Sequence, residues 1–574
     1  MKRHKVILFV IVALGFLVRF VGSWYGFPYV LGHFDEIFSV RQAMSFGATH
    51  SLRPIMLMYP TFHSYILFVI YLIYFALGKI AGWFASPADF AFMYLIKPFS
   101  LYFLARMVSV ISGTATILTT YLIAKQLYNP RVGLWAAWLL AMSTTHVIYS
   151  HWAKPDIFMV FLASVSLMFA TFILTDQRMK NYSLAGLFAG LAVAAKYNAA
   201  FVFLPFAVIH WFVCDKKGLL RHIFNQKLLG YFFMMVIGFF ITSPYCFIAA
   251  PFCYREVMYD LNMLHFGEPG NISTLPWLWI IINIFSNNAV YGVIFSLGII
   301  YCLLKPKRNH WILLAYVLPF SWFIGRSAKV SLHYLLPMYP ALYILGAVFV
   351  DRIFFLLRKR KFLSISLFLL MLAITSIKTY ELKLDFLGRD SRAVAKEWID
   401  DNVPAGAKLA LFTIRYRDLP LILSQGGEVD TIDYGPRARN TYRDEHLNAL
   451  LDDYFRRHKT FRVYKLEKEI PGTEVDSILA GLGFPNNSFL RSYYQQGWKS
   501  LEEMQAQGIE YVFLPSFLYG LYEKLPDKHH PLYRLCKQNQ EYFSGLMASK
   551  EMQLVKEIPA SGLGPTIRIY KVSY

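Results

Sequence analysis

Phe62-His63-Ser64-Tyr65-Ile66-Leu67-Phe68-Val69-Ile70-Tyr71-Leu72-Ile73-Tyr74-Phe75-Ala76-Leu77-Gly78 is the stretch on which the topology turns. These 17 residues are apolar but begin beside His63 and end at Lys79 and a Pro/Asp-containing stretch. A spanning helix needs about 20 residues. Whether this one crosses decides the side of everything after it. The apolar segments around it are Val6–Val18, Tyr102–Ala124, Val132–Tyr149, Ile157–Thr175, Leu184–Ala195, Ala199–Cys214, Leu228–Phe247, Leu275–Leu304, Trp311–Gly325, Ser331–Val350 and Phe362–Ile377. The first follows basic Met1–Lys5 like a signal peptide. Gly22-Ser-Trp-Tyr-Gly-Phe follows it instead of a small-residue cleavage site, so it reads as an uncleaved span with an aromatic anchor. Composition agrees. Of 574 residues 56% are hydrophobic and 16% charged, against roughly 45–50% and about 25% in soluble globular chains. That excludes a purely soluble, disordered or collagen-like chain and leaves a polytopic α-helical membrane protein.

The net charge of +21 would suggest nucleic acid in a soluble protein. Here the basic residues flank apolar segments, as retention on the cytoplasmic side requires. If residues 62–78 do not cross, Lys125–Arg131, Arg178–Lys180, Lys216–Lys227, Lys305–Arg308 and Arg352–Lys361 all share the side of the basic N-terminus. If they cross, all five land opposite it. The stretch is therefore expected to lie in or on the outer interface. The expected count is then eleven crossings, with the N-terminus inside and the C-terminus outside. Leu184–Cys214 enters and returns with Lys196-Tyr197-Asn198 at its vertex. Twelve helical residues rise only about 18 Å, short of the roughly 30 Å hydrocarbon core, so Lys196 should sit below the outer surface.

From about Lys378 the composition changes. Asp390–Asp400 reads as an amphipathic helix, and Leu409–Ile414, Tyr511–Leu514 and Thr566–Val572 read as strands. The expected division is a membrane catalytic domain over 1–380, with juxtamembrane helices in a first outer loop at about 23–100, and a soluble extracytoplasmic α/β domain over 381–574. Cys214, Cys246, Cys253, Cys302 and Cys536 have neither zinc nor redox spacing. Cys246 and Cys253 are near enough in sequence to pair, although no pair is expected.

The outer connections hold the suspicious polar residues. Asp35 and Glu36 follow the first span; two adjacent acids beside a membrane are costly unless they meet cations or a metal. They serve either as a solvated helix N-terminus or as a carboxylate that takes a proton from an incoming hydroxyl. Ser150-His151-Trp-Ala-Lys154-Pro155-Asp156 fills the second connection; Lys196 and Tyr197 form the vertex; Arg255, Asp260, His265 and Glu268 follow the seventh span; Arg326, Lys329, His333 and Tyr334 lie in the next turn. Outer loops are depleted in Lys and Arg, so Lys154, Lys196, Arg326 and Lys329 stand out, with Arg106 at the end of its span. Each alone snorkels or pairs locally; together they suit a phosphate or pyrophosphate head group. His63 and His265 with Asp35 or Glu36 are the weaker candidates for a divalent metal ion, since no ligand spacing supports them.

Taken in order, several stretches resemble the GT-C class of membrane glycosyltransferases, in the branch of protein O-mannosyltransferases and the aminoarabinose transferases of lipid A. They are Asp35-Glu36, Met58-Tyr-Pro60-Thr-Phe-His-Ser-Tyr65, Ala105-Arg106, Ser150–Asp156, Gly186–Lys196 and His333-Tyr-Leu-Leu-Pro-Met-Tyr-Pro340. The resemblance implies a GT-C fold, a polyprenyl- or dolichyl-phosphate-linked sugar donor, an unidentified glycan, lipid or protein acceptor, and inverting transfer outside the cytoplasm. It implies Asp35 as base with Glu36 supporting it. Arg106, Lys154, Lys196, Arg326 and Lys329 are the candidates for the donor phosphate, and Asp156, His333, Tyr334 and Tyr59 support the site. The setting it leans to is a bacterial inner membrane. Two departures stand out: Tyr59-Pro60-Thr61 lacks the second proline of the usual pattern, and Met58-Tyr59 replaces the Glu-Lys pair of the aminoarabinose enzymes, against lipid A as acceptor and against their metal site. A transporter or lipid flippase also suits eleven spans with buried charges, but would tend to show inverted repeats and broken helices at the midplane. A non-catalytic scaffold for envelope assembly, with Asp35 only capping a helix, is the third alternative.

Overall fold

The structure, a computed structural model, describes residues 2–574 except 30–31, 34, 215–224, 271, 274, 330, 412–427 and 429–444. Most of the basic segment Lys216–Lys227 and the end of the expected strand Leu409–Ile414 thus lie outside the described residues. The chain opens with α1 (Lys2–Phe20), α2 (Glu36–Ala48), α3 (Phe62–Ile80), α4 (Pro87–Ile96) and α5 (Phe99–Leu127). The segment expected at 132–149 is two helices, α6 (Pro130–Ala141) and α7 (Thr144–Ser150), bent by 60° where Ser143 caps the second. Then come α8 (Pro155–Phe172), α9 (Met179–Ala195), α10 (Phe203–Val213), α11 (Gln226–Thr242) and α12 (Ala250–Phe266). The segment expected at 275–304 is also broken: Asn288 ends α13 (Pro276–Asn287) and its side chain caps α14 (Ala289–Leu304). α15 (Arg308–Ile324), α16 (Tyr339–Leu356) and α17 (Lys361–Leu387) complete this part.

Among the described residues five helices are long and apolar enough to cross a membrane, or six if the bent pair is one span. α3 is one of the five. The interfacial placement of residues 62–78 therefore rests on the charge count alone. Of the remaining expected crossings, α1 has 19 residues but carries Lys2, Arg3, Lys5 and Arg19 at its ends, and the others are shorter or broken helices. α9 and α11 touch backbone to backbone: a Cβ on Gly186 would lie 2.1 Å from the Tyr231 carbonyl oxygen, and one on Gly190 2.0 Å from that of Met235. Apolar side chains gain nothing by leaving lipid for one another, so such close small-residue contacts carry helix association in a membrane.

The C-terminal part begins with a helix at Ser391–Asn402, capped by Asp390 as the amphipathic pattern predicts. Its five-stranded sheet has the order β2-β1-β5-β7-β6, where β1 is Lys408–Leu411, β2 Arg462–Lys465, β5 Tyr511–Pro515, β6 Met552–Ile558 and β7 Ile567–Val572. β1 runs parallel to β2 and β5, while β7 is antiparallel to β5 and β6. β3 (Glu467–Glu469) and β4 (Gln496–Trp498) form a separate ribbon. β2, β6 and the ribbon were not foreseen, because their charged, half-exposed residues carry little apolar alternation.

Among the contacts that join the two parts, three groups stand out. The Tyr25 hydroxyl meets Asp390 and accepts from the Leu563 amide at 2.6 Å, with the Tyr25 ring edge-on to Phe386. On α12, Phe266 stacks with Phe489, and the Tyr259 hydroxyl lies 3.1 Å from Ser492 Oγ. Ala88, Ala91 and Ile96 of α4 pack on Leu447, Leu451 and Phe455.

Candidate active site

The first loop places two neighbouring acids in different environments. On α2, Glu36 shares its face with Val40 and Ala43, both fully buried. There its carboxylate receives both arms of the Arg106 guanidinium, at 2.8 and 2.9 Å, and the Ala153 amide at 2.8 Å. Arg106 also donates to the carbonyls of Ser23 and Tyr25. Every polar edge of this sealed pair is used, as a buried pair requires. Arg106 is therefore not brought to the cavity, and its expected part in phosphate binding is corrected: it ties the first loop to α5 and to the Ala153 turn.

Asp35 stands at the N-cap of α2, yet its side chain caps nothing. It reaches instead to Lys154, Oδ2 to Nζ at 2.6 Å, with His33 Nδ1 3.6 Å away and accepting from the Asp35 amide. Lys154 is buried behind Asp35 and lies 3.9 Å from Asp156, which in turn holds Lys196 at 2.7 Å. The four charges alternate along a line from the first loop to the vertex at Lys196. Burial alone would raise the Asp35 carboxyl, but the charge and hydrogen bond of the Lys154 ammonium, with His33 and His333 adding to them, together outweigh it and hold it well below the usual carboxylate range. Burial would lower Lys154; Asp35 and Asp156 instead hold it above the usual lysine range. Burial, with Lys154 adding to it, pushes the His33 imidazole down to about 4, so the ring is neutral and its Nδ1 accepts from the Asp35 amide.

Asp35 and Lys196 open onto a cavity of about 650 Å³ between the helices and the C-terminal part. Of the other expected residues, Tyr59, Lys329, His333 and Tyr334 line it. The Lys196 ammonium sits over the Tyr59 and Tyr334 rings, 5.3 and 5.9 Å from their centroids, and Lys329 pairs with Glu268 at 2.9 Å. His333 Nδ1 is held by Ser331 at 2.7 Å and by the Tyr149 hydroxyl at 3.2 Å. Arg326 is absent from the lining; it lies over the Trp322 ring at 4.9 Å, a local contact that leaves no cation for the cavity.

His63 is buried against Phe158 with Ser39 Oγ 3.2 Å from its Nδ1, whereas His265 is exposed beside Phe266. Neither converges with Asp35 or Glu36. Among the described residues no three His, Cys, Asp or Glu side chains are placed to hold a metal ion.

Three features of the cavity were given no role from the sequence. Arg41 lines it from the Ile37 face of α2, and no carboxylate partner is seen for it among the described residues; the i, i+4 spacing from Ile37 could have placed it there. Asp260 lines it with Oδ1 buried and unbonded, and burial pushes its carboxyl up to about 7. Ser492, Tyr493, Gln496, Leu521 and Tyr522 roof it from the C-terminal part; no local pattern marks residues that meet a site over 450 positions away.

The crystal structure of ArnT from Cupriavidus metallidurans bound to undecaprenyl phosphate superposes with a TM-score of 0.51 at 14% identity, covering 98% of this chain and 97% of that one. Its apo state gives 0.50 at 14% identity over the same shares. The chain has a GT-C fold. Residues 91–248 of this GT-C protein also match the family model described as dolichyl-phosphate-mannose-protein mannosyltransferase. That match takes in Lys154, Asp156 and Lys196 but not Asp35 or the roof. Archaeal oligosaccharyltransferase AglB from Archaeoglobus fulgidus, in complex with an inhibitory peptide and a dolichol-phosphate, aligns at 12% identity and a TM-score of 0.49 over 99% of this chain and 88% of that one. No curated protein matches the chain in sequence.

Proposed function

We propose that the protein is a glycosyltransferase that moves a sugar from a polyprenyl- or dolichyl-phosphate-linked donor to an acceptor hydroxyl, with inversion, on the extracytoplasmic side of a bacterial inner membrane. The observation that carries this reading is one cavity holding an ionised carboxylate, Asp35, together with Lys196, Lys329 and Arg41. ArnT, whose fold this chain shares, binds undecaprenyl phosphate.

In a single displacement the acceptor oxygen attacks the anomeric carbon, its proton passes to Asp35, and the bond from that carbon to the lipid phosphate breaks. The departing phosphate gains negative charge, which Lys196 and Arg41 meet. Lys196 spends one contact on Asp156 and retains donors for the ligand. The Lys154 pair keeps Asp35 ionised but weakly basic, so proton transfer is late, after the breaking bond has made the attacking hydroxyl acidic. The roof from the C-terminal part closes the acceptor end and excludes water that would hydrolyse the donor. A protein that only bound the lipid would need the cations but not an uncapped carboxylate beside them.

The test is sugar transfer by the purified protein from a polyprenyl-phosphate donor, with Asp35→Asn as the control. Mass analysis of lipid-linked sugars and envelope glycans in a strain lacking the protein identifies both substrates through accumulated donor and a missing residue. Full turnover by Asp35→Asn would remove the base assignment. For orientation, a cysteine placed at exposed position 51 should label from outside and one at position 307 only from inside; the reverse overturns the topology.

A further inference from the structure

We propose that Cys246 and Cys253 form a dithiol site that closes to an intramolecular disulfide by exchange with a low-molecular-weight disulfide. Cys246 lies in the short helix Tyr245–Ile248 and Cys253 in the first turn of α12, on either side of Ala249. Both thiols converge on one atom, the Tyr197 hydroxyl oxygen, at 3.6 and 3.4 Å, and lie within hydrogen-bond reach of each other. That oxygen donates its own proton to the Leu57 carbonyl at 3.1 Å, so it faces the two thiols as an acceptor. Two half-buried thiols are thus held on one acceptor. The other cysteines lack this arrangement: Cys302 and Cys536 are buried, and Cys214 sits with His210 and Asn225.

In the exchange one thiolate attacks the oxidant, RSSR, and releases one RSH as a mixed disulfide forms. The second thiolate displaces the other RSH. Two S–H bonds and one S–S bond are broken, one S–S bond and two S–H bonds are formed, and the two electrons lost by the protein reduce RSSR. The new bond staples the turn after α11 to α12, the helix that brings Tyr259 and Asp260 to the cavity wall. It also removes both S–H donors from Tyr197, whose neighbour is Lys196. The site is thus placed to set the rigidity of that wall. It needs no sugar substrate, so its failure and that of the transferase reading are separate events.

The experiment uses the detergent-purified full chain with oxidised glutathione, followed by blocking of free thiols and tryptic digestion without reductant. Leu228–Arg255 carries both cysteines. The expected product is this peptide two hydrogens lighter than its reduced form, with a maleimide count falling from five thiols to three. Cys246→Ser should leave only a glutathione adduct on Cys253. Two adducts without ring closure, or an unchanged thiol count, would overturn the proposal. Wild type whose thiol loss falls on Cys214, Cys302 or Cys536 would overturn it equally.

Discussion

Asp35 and Glu36 are neighbours in sequence, and the contrast between their surroundings explains how this fold separates holding from reacting. Glu36 lies in a sealed pocket where Arg106 and one amide take every lone pair that matters. Asp35 keeps one edge on Lys154 and turns the other to a cavity, with 13% of its side chain exposed. The first pair has no spare capacity and can only position the loop. The second leaves a carboxylate edge and a line of charges open to a ligand. Adjacent residues of one chemistry can thus serve structure and reaction when a helix start turns them in different directions.

Substitutions can break or sharpen that contrast. Asp35→Asn should lower kcat of the folded protein by about 10²–10⁴-fold, the usual worth of a general base, and should also lower the melting temperature because buried Lys154 loses its nearest carboxylate; a folded variant that keeps its turnover would make Asp35 another Glu36. Glu36→Gln or Arg106→Leu should do the reverse, costing about 3–5 kcal/mol of stability for a broken buried pair, seen as lost folded yield while the folded remainder retains turnover. Lys196→Ala should raise donor KM by about tenfold or more, one charge-assisted phosphate contact being worth 1.5–3 kcal/mol, with acceptor KM little changed; equal losses for both substrates would count against a phosphate role.

A smaller effect separates Asp260 from both acids. Its folded carboxyl titrates at about 7, above the ordinary value of about 4, so between these pH values the folded state holds a proton that the unfolded state has released. Stability therefore falls as pH rises through that window. Asp260→Asn should remove this fall, so its melting temperature should gain on wild type between pH 5 and pH 8; parallel curves would refute the burial of that carboxyl. Smallest of all, Arg326→Ala should leave donor KM within about twofold, as expected for an exposed cation that lies over Trp322 and outside the cavity lining.

Much of this was legible beforehand, for identifiable reasons. Apolar segments long enough to matter mark the helices, and Asp390 at a cap position marks the start of the C-terminal helix. The burial of Glu36 was not read from the sequence, although Val40 and Ala43 share its helix face at i+4 and i+7. Nor was its partner: Arg106 looked like a phosphate ligand because a cation at a span's end is ambiguous until the facing acid is known. Lys154 was placed among the phosphate ligands for the same reason, although it sits behind Asp35 and reaches the cavity only through it. Asp260 drew no role because an acid on an amphipathic helix usually faces water.

Hydropathy and charge along the chain were enough to determine a helical membrane protein with a mixed α/β appendix, because burial in lipid selects residues one segment at a time. Which acid reacts and which merely holds, which cations meet in one space, and that the C-terminal part closes it were decided only by tertiary structure. Charges interact through distance and dielectric, and separations of 70 to over 450 positions along the chain carry no record of either.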